Sequence, residues 1–145
     1  MTPNHSLLYR QEAVLTASPL GLVVLLYDSM LMALNKGIRA MAAGDVELRV
    51  KELNHALAIV DQLQRTLDFD NGADVAVNLD RLYDASRQAI LGASFTQDKE
   101  PLVQVTAQLQ KVRDAWWAAD RQVIPSAAAS FSFETSPAGA GSWSA

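Results

Sequence analysis

TASPLGLVVLLYD, residues 16–28, is the stretch that decides the fold of this chain. Ser18 predicts a helix N-cap, because its hydroxyl can accept a hydrogen bond from an otherwise unpaired N–H group of the first turn. Pro19 suits the first helical position, where its missing N–H would have had no partner. Apolar residues at seven of the next eight positions then surround almost the whole helix, whereas a surface helix has one apolar stripe. We therefore expect something besides the helix's own bundle to cover part of this surface.

The composition favours one soluble domain. The 145 residues are 50% hydrophobic and 19% charged, which is enough to build a core. The net charge of -4 argues against nonspecific binding to nucleic acid and to anionic membranes.

There are no cysteines, so neither disulfides nor thiolate metal sites are expected. The N-terminus has no signal-peptide pattern, and no apolar run approaches the ~20 residues of a membrane span. We expect a cytoplasmic protein without stable membrane insertion.

Glycine and aspartate mark the boundary between the first two helices. The first helix should run from Pro19 to about Ala43, with Gly44 just past its end. Asp45 can cap the second helix, which we expect to extend to about Asp68. Its predicted apolar stripe consists of Val46, Val50, Leu53, Leu57, Val60, Leu63 and Leu67.

The second half of the chain predicts two further helices. Residues 68–73 have turn composition, and Asp74 is the expected cap of the third helix. The fourth should begin near Asp98, where Pro101 is tolerated in the first turn. Its apolar residues alternate spacings of three and four, which indicates a bundle core; they are Leu102, Val105, Leu109, Val112, Trp116, Ala119 and Val123.

Two residues on these helices are candidates for partner contact. Met32 lies among the polar residues expected to face solvent, a row that begins at Asp28. An exposed methionine is often without function, but it is also an adaptable side chain at peptide-binding surfaces. Trp116 belongs to the core pattern, so Trp117 should lie at the edge of the bundle. It either anchors a partner or leans over a neighbouring helix.

The two ends of the chain differ from the region between them. Leu7 to Leu15 can form a short apolar helix, which would be marginal alone and should dock on the apolar first helix. Residues 125–145 are rich in Ser, Ala, Gly and Pro and should form a disordered tail. The expected organisation is a cap segment at 1–17, a four-helix bundle at 18–124 and the tail.

No pattern predicts catalysis, a cofactor or a metal. Glu52 and His55 have the Glu-x-x-His spacing of di-iron bundles, but there is no second motif of this kind.

A histidine phosphotransfer domain at His55 is an alternative interpretation, although such domains resemble one another in a lysine and a glycine that this chain lacks there. There is also no glycine-rich phosphate loop and no nucleophile in a recognisable setting. A binding protein that is not an enzyme is the better class.

The chain resembles the flagellin export chaperones of the FliS family. The resemblance begins at Tyr9 and includes Thr16-Ala17-Ser18-Pro19 followed by Leu26-Tyr27-Asp28. It continues through Leu82-Tyr83-Asp84 and ends with Arg113-Asp114-Ala115-Trp116, in the same order as in the family. Ala73 departs from the pattern, because the family more often has glycine at this position.

The resemblance implies an all-α, antiparallel four-helix bundle whose N-terminal segment covers one end of a hydrophobic groove. It also implies a cytoplasmic chaperone that binds the disordered C-terminal region of flagellin and presents it to the flagellar export gate. A structural homodimer is the alternative to a chaperone, since a second copy of the chain would cover the same apolar surface. The candidate cap and client contacts are Leu8, Tyr9, Val14, Leu15, Leu22, Leu26, Tyr27, Met32 and Trp117.

Overall fold

The structure, a computed structural model, describes residues 18–122. Four helices follow one another: α1 (Pro19–Ala43), α2 (Val46–Arg65), α3 (Phe69–Thr96) and α4 (Glu100–Gln122). Both α1 and α3 pack against α2 and α4, so the four helices form a closed ring. The short connections place successive helices antiparallel. The predicted all-α four-helix bundle is confirmed, whereas the cap segment at 1–17 and the tail at 125–145 lie outside the described residues.

The core lies along the axis of this ring and receives side chains from all four helices. Leu34 of α1 is fully buried, and Leu53 of α2 is almost so. Gly37 lets α2 approach α1 closely, because a Cβ atom at this position would lie 2.5 Å from Leu53 Cδ2. The other largest buried side chains are Tyr27, Met30, Val60, Ile90, Leu102, Leu109 and Val112.

The predicted boundaries of α1 are confirmed. The Ser18 hydroxyl accepts a hydrogen bond from the Gly21 N–H at 3.0 Å, and Pro19 occupies the first turn. Gly44 ends the helix with φ at 72°, a left-handed conformation that glycine adopts without a steric penalty. Asp45 then caps α2 by accepting from the Leu48 N–H.

The predicted boundary between α2 and α3 is wrong. The helix α2 ends at Arg65, and Asp68 instead caps α3, because its carboxylate accepts the Asn71 backbone and side-chain N–H groups. These hydrogen bonds favour the ionised carboxylate and lower the pKa of Asp68. The predicted turn survives only as a break inside α3, where Ala73 has φ 43° and ψ −119°.

The predicted burial is also wrong for two residues of the α2 stripe. Val46 and Val50 are 56% and 45% exposed, because they lie at the beginning of α2 beyond the layer that the other helices cover. From Leu53 to Leu63 the stripe is buried or partly buried, as predicted.

The helix α4 begins at Glu100, two residues after the predicted start, and Asp98 accepts a hydrogen bond from the Glu100 N–H. Its core positions Leu102, Leu109 and Val112 are buried as predicted, and Trp116 packs against them while partly exposed.

By length and composition, α1 is apolar enough to cross a membrane. Its inner face nevertheless forms much of the bundle core, with Tyr27, Met30 and Leu34 fully buried. The core helix of a soluble bundle has the same composition, so this feature does not indicate a membrane protein.

We call the two ends of the bundle the fastened end and the open end. At the fastened end, α1 and α3 begin and α2 and α4 end. At the open end, α1 and α3 end and α2 and α4 begin.

Candidate functional site

Polar contacts hold the beginning of α1 against the end of α4. The Ser18 hydroxyl donates a hydrogen bond to the Asp120 carboxylate. About two turns farther along, Arg113 Nε donates to Asp28 Oδ1 at 2.8 Å, and this ion pair raises the pKa of Arg113. Asp28 is therefore only half-exposed and bound to α4, which corrects the prediction that it faces solvent as part of a polar row. These contacts fix the position of α1 on the bundle.

The apolar side chains of α1 remain partly uncovered despite this attachment. Leu22 is 41% exposed and Met32 is 43% exposed, and Leu26 is partly buried against the core. We call these three side chains the α1 surface. Of the seven apolar residues at 20–27, only Val24 and Tyr27 are fully buried. The excess apolar surface expected from the sequence is present.

Tyr27 lies in the interior, although it was among the candidates for client contact. Its exposed fraction is 0%, and its hydroxyl is hydrogen-bonded to that of Tyr83 on α3. Burial raises the pKa of Tyr27 well above its ordinary value, and it raises the pKa of Tyr83 to about 12. A side chain without exposed area offers no contact in this conformation, so Tyr27 supports the α1 surface from inside.

Trp117 lies at the edge of the bundle, beside the ion pair. Its side chain is 43% exposed, and the guanidinium carbons of Arg113 and Arg121 lie 5.8 Å and 4.7 Å from its ring centre. Cation–π attraction thus holds the ring between two arginines while part of it stays accessible. This placement agrees with the predicted position at the edge of the bundle.

Comparison with known proteins assigns the chain to a family. The profile of a family described as "Flagellar protein FliS" matches residues 1–123, which include the whole described bundle. The chain belongs to the FliS family. It is 31% identical to the flagellar secretion chaperone FliS of Salmonella typhimurium over 118 residues, covering 81% of this chain and 84% of the relative.

Two further relatives are similarly distant. The flagellar secretion chaperone FliS of Vibrio cholerae is 32% identical over 69% of this chain and 74% of its own length. That of Bacillus subtilis is 27% identical over 74% of this chain and 80% of its own length. This FliS family member therefore has a role in flagellar protein export, and it is a chaperone rather than an enzyme, as predicted.

His55, the residue of the phosphotransfer alternative, is an exposed residue of α2. The ring lies on the outside between α1 and α2, with its Nε2 atom 3.3 Å from the Ser29 hydroxyl. Within residues 18–122, no group of three or more histidine, aspartate and glutamate side chains is arranged to hold a metal.

Sequence analysis missed a second exposed apolar region, at the open end. Phe95 of α3 is 84% exposed, and Leu91 one turn before it is 45% exposed. Arg87 of α3 is paired with Asp61 of α2. Continuing this antiparallel register places Phe95, near the end of α3, opposite residue 53 of α2, so the exposed Val46 and Val50 extend past the end of α3. Helical periodicity does not mark Val46 and Val50 as exposed, because both follow the spacing of the predicted core stripe of α2.

Proposed function

We propose that this protein binds the disordered C-terminal region of flagellin on the α1 surface, prevents its premature polymerisation and delivers it to the flagellar export gate. The proposed compartment is the cytoplasm, where FliS family members act in general. The observation that carries the proposal is the partly uncovered apolar side of a helix that is firmly attached to its bundle.

The physical basis is coupled folding and binding. A disordered client loses conformational entropy when it becomes ordered, and it recovers this cost by burying on the order of 1,000 to 3,000 Å². An amphipathic client helix placed on the α1 surface would gain apolar contacts with exposed Leu22 and Met32 and with the partly buried Leu26. Because α1 is already held in the bundle by its buried core residues and is paired with α4 through Arg113, the client does not also have to order its binding site.

The cap contacts proposed at the N-terminus are Leu8, Tyr9, Val14 and Leu15, which lie outside the described residues. We propose that the segment containing them covers the α1 surface until a client displaces it. Tyr9 is the leading candidate for a contact with both the α1 surface and a partner.

The test is binding of a flagellin C-terminal fragment from the same source. Calorimetry should detect binding to the wild type and weaker binding to the Tyr9→Glu and Leu15→Glu variants. Wild-type affinity in both variants would refute the cap, and no binding by the wild-type protein would refute the client.

Sedimentation of the protein alone and with the fragment distinguishes a chaperone from a structural homodimer. A chaperone should form a mixed complex whether or not it dimerises by itself. A dimer that persists unchanged in the presence of the fragment would support the homodimer instead.

A further inference from the structure

A groove of about 510 Å³ lies between the second half of α1 and the first half of α2, at the open end of the bundle. Its apolar lining comes from Ala40, Ala43 and Leu48, whose short or partly exposed side chains leave a cleft between the helices. The helices are in close contact at Gly37 and Leu53, so the cleft opens toward the loop that joins them. We call it the hairpin groove. Its volume is in the range of sites that hold ligands.

The hairpin groove carries three cationic side chains, Lys36, Arg39 and Lys51. The ion pairs found among residues 18–122 all involve Arg87 or Arg113, so none of these three cations is neutralised there. The chain as a whole has a net charge of -4, with 16 acidic and 12 basic residues. Three unpaired cations beside one cleft are therefore a local reversal of the protein's charge.

Two carboxylates also line the groove. Asp45 is already used in capping α2, since its Oδ1 atom accepts the Leu48 N–H at 3.1 Å. Glu52 is the remaining carboxylate, and it forms no ion pair with the groove cations. The groove thus retains a positive balance and hydrogen-bond donors on exposed, flexible side chains.

We propose that the hairpin groove binds an acidic peptide segment, with aliphatic side chains against Ala40, Ala43 and Leu48 and carboxylates toward Lys36, Arg39 and Lys51. Complementary charge selects the partner and speeds its association. An elongated cleft with an apolar floor between two helices fits a peptide better than a small anion, because no buried donors converge on one point. The groove begins at Lys36, one turn past Met32 of the α1 surface, and shares no residue with the proposed flagellin site.

The test uses the full chain and a short fluorescent peptide of Glu, Asp, Ala and Leu. A matched peptide carries Gln and Asn in place of the acids. Fluorescence anisotropy should show binding of the acidic peptide that weakens as salt is added, since screening reduces attraction between exposed charges. The neutral peptide should bind at least ~10-fold more weakly, which corresponds to about 1.4 kcal/mol.

The decisive variant is the double charge reversal Lys36→Glu and Lys51→Glu. It should weaken binding of the acidic peptide at least ~10-fold. The control, Arg81→Glu with Lys111→Glu, changes the net charge equally at two exposed cations outside the groove and should keep wild-type affinity. Circular dichroism establishes that both variants are folded, and Arg39→Gln provides a milder change with a smaller expected loss.

Three outcomes would overturn the proposal: no binding of the acidic peptide to the wild type, equal binding of the neutral peptide, or an equal loss in the control variant. The groove variant should also bind the flagellin fragment with wild-type affinity. If it loses both ligands together, the groove is not a separate site. Failure of flagellin binding in the wild type alone would affect the proposed function and leave this inference intact.

Discussion

The fastened end and the open end of the bundle both expose apolar side chains, but among residues 18–122 they differ in the polar contacts that join helices. At the fastened end, Ser18 is bonded to Asp120 and Asp28 to Arg113. At the open end, within the part of the chain that the structure describes, no hydrogen bond or ion pair joins two helices around Phe95. An exposed apolar surface on a fixed helix is suited to binding, whereas exposure alone is not evidence of a site.

The largest expected difference between the two ends is in stability. Tyr27→Ala at the fastened end should lower the free energy of unfolding by about 3–5 kcal/mol, because it empties a fully buried aromatic site. Phe95→Ala at the open end removes an aromatic ring that is 84% exposed and should change stability by about 0.5 kcal/mol or less. Urea unfolding of both variants measures the contrast, and similar losses would refute it.

The tyrosine pair should make stability depend on alkaline pH. Burial raises the pKa of Tyr83 from 10.0 to about 12, and the pKa of Tyr27 is raised as well. The unfolded chain therefore releases protons from about pH 10, while the folded chain holds them. The stabilisation is complete below pH 10 and is lost as pH rises toward 12, on the order of 3 kcal/mol for Tyr83.

Urea unfolding at a series of alkaline pH values measures this loss. Tyr83→Phe should show a shallower decline than the wild type, because position 83 no longer titrates. Identical pH dependence in the two proteins would contradict the interior placement of this hydroxyl.

Each end contains one non-glycine residue with positive φ, and the two differ in strain. Ala73 has φ 43° and ψ −119°, outside the left-handed helical region, whereas Gln97 lies within it at φ 59° and ψ 9°. Replacing Ala73 by glycine should stabilise the protein by about 1 kcal/mol. Such backbone conformations cost a residue other than glycine of order 1–3 kcal/mol, and the greater entropy of glycine in the unfolded chain offsets part of the gain.

Gln97→Gly should gain only a few tenths of a kcal/mol, because the left-handed helical conformation costs a side chain less. Thermal unfolding of both variants gives the ranking. A larger gain at 97 than at 73 would contradict the assigned difference in strain.

A small effect is also expected for the ion pair that joins α1 to α4. A double-mutant cycle with Asp28→Asn and Arg113→Gln should give a coupling of about 0.5–1 kcal/mol, because Asp28 is 44% exposed and solvent screens the charges. The coupling should shrink as salt is added. Zero coupling at low salt would show that this contact does not fasten the end.

The sequence was sufficient to predict those features that depend on nearby residues. Ser18, Pro19 and Gly44 identify both ends of α1 because capping depends on residues within one turn. The uncovered apolar surface was also predictable, since apolar residues that encircle a helix cannot all face one core. The start of α3 was missed because Asp68 and Asp74 are both suitable caps, and the hydrogen bonds of Asn71 favour the first.

Features that depend on the extent of neighbouring helices could not be predicted. The helical period places Val50 on the inner face of α2, but it does not show how far the adjacent helices extend to cover it. The contact of Asp28 with Arg113 joins residues 85 positions apart, which no local pattern indicates. Tyr27 was predicted to contact a client, whereas its full burial and its contact with Tyr83, 56 positions away, place it in the core.

The most direct test of the account compares Leu22→Glu with Val77→Glu in binding to the flagellin C-terminal fragment. The two side chains are 41% and 40% exposed, and Val77 belongs to α3, which lies diagonally across the ring from α1. Calorimetry should give at least ~10-fold weaker binding for Leu22→Glu and wild-type affinity for Val77→Glu, with both proteins folded. Equal affinities in the two variants would contradict the assignment of the α1 surface as the client site.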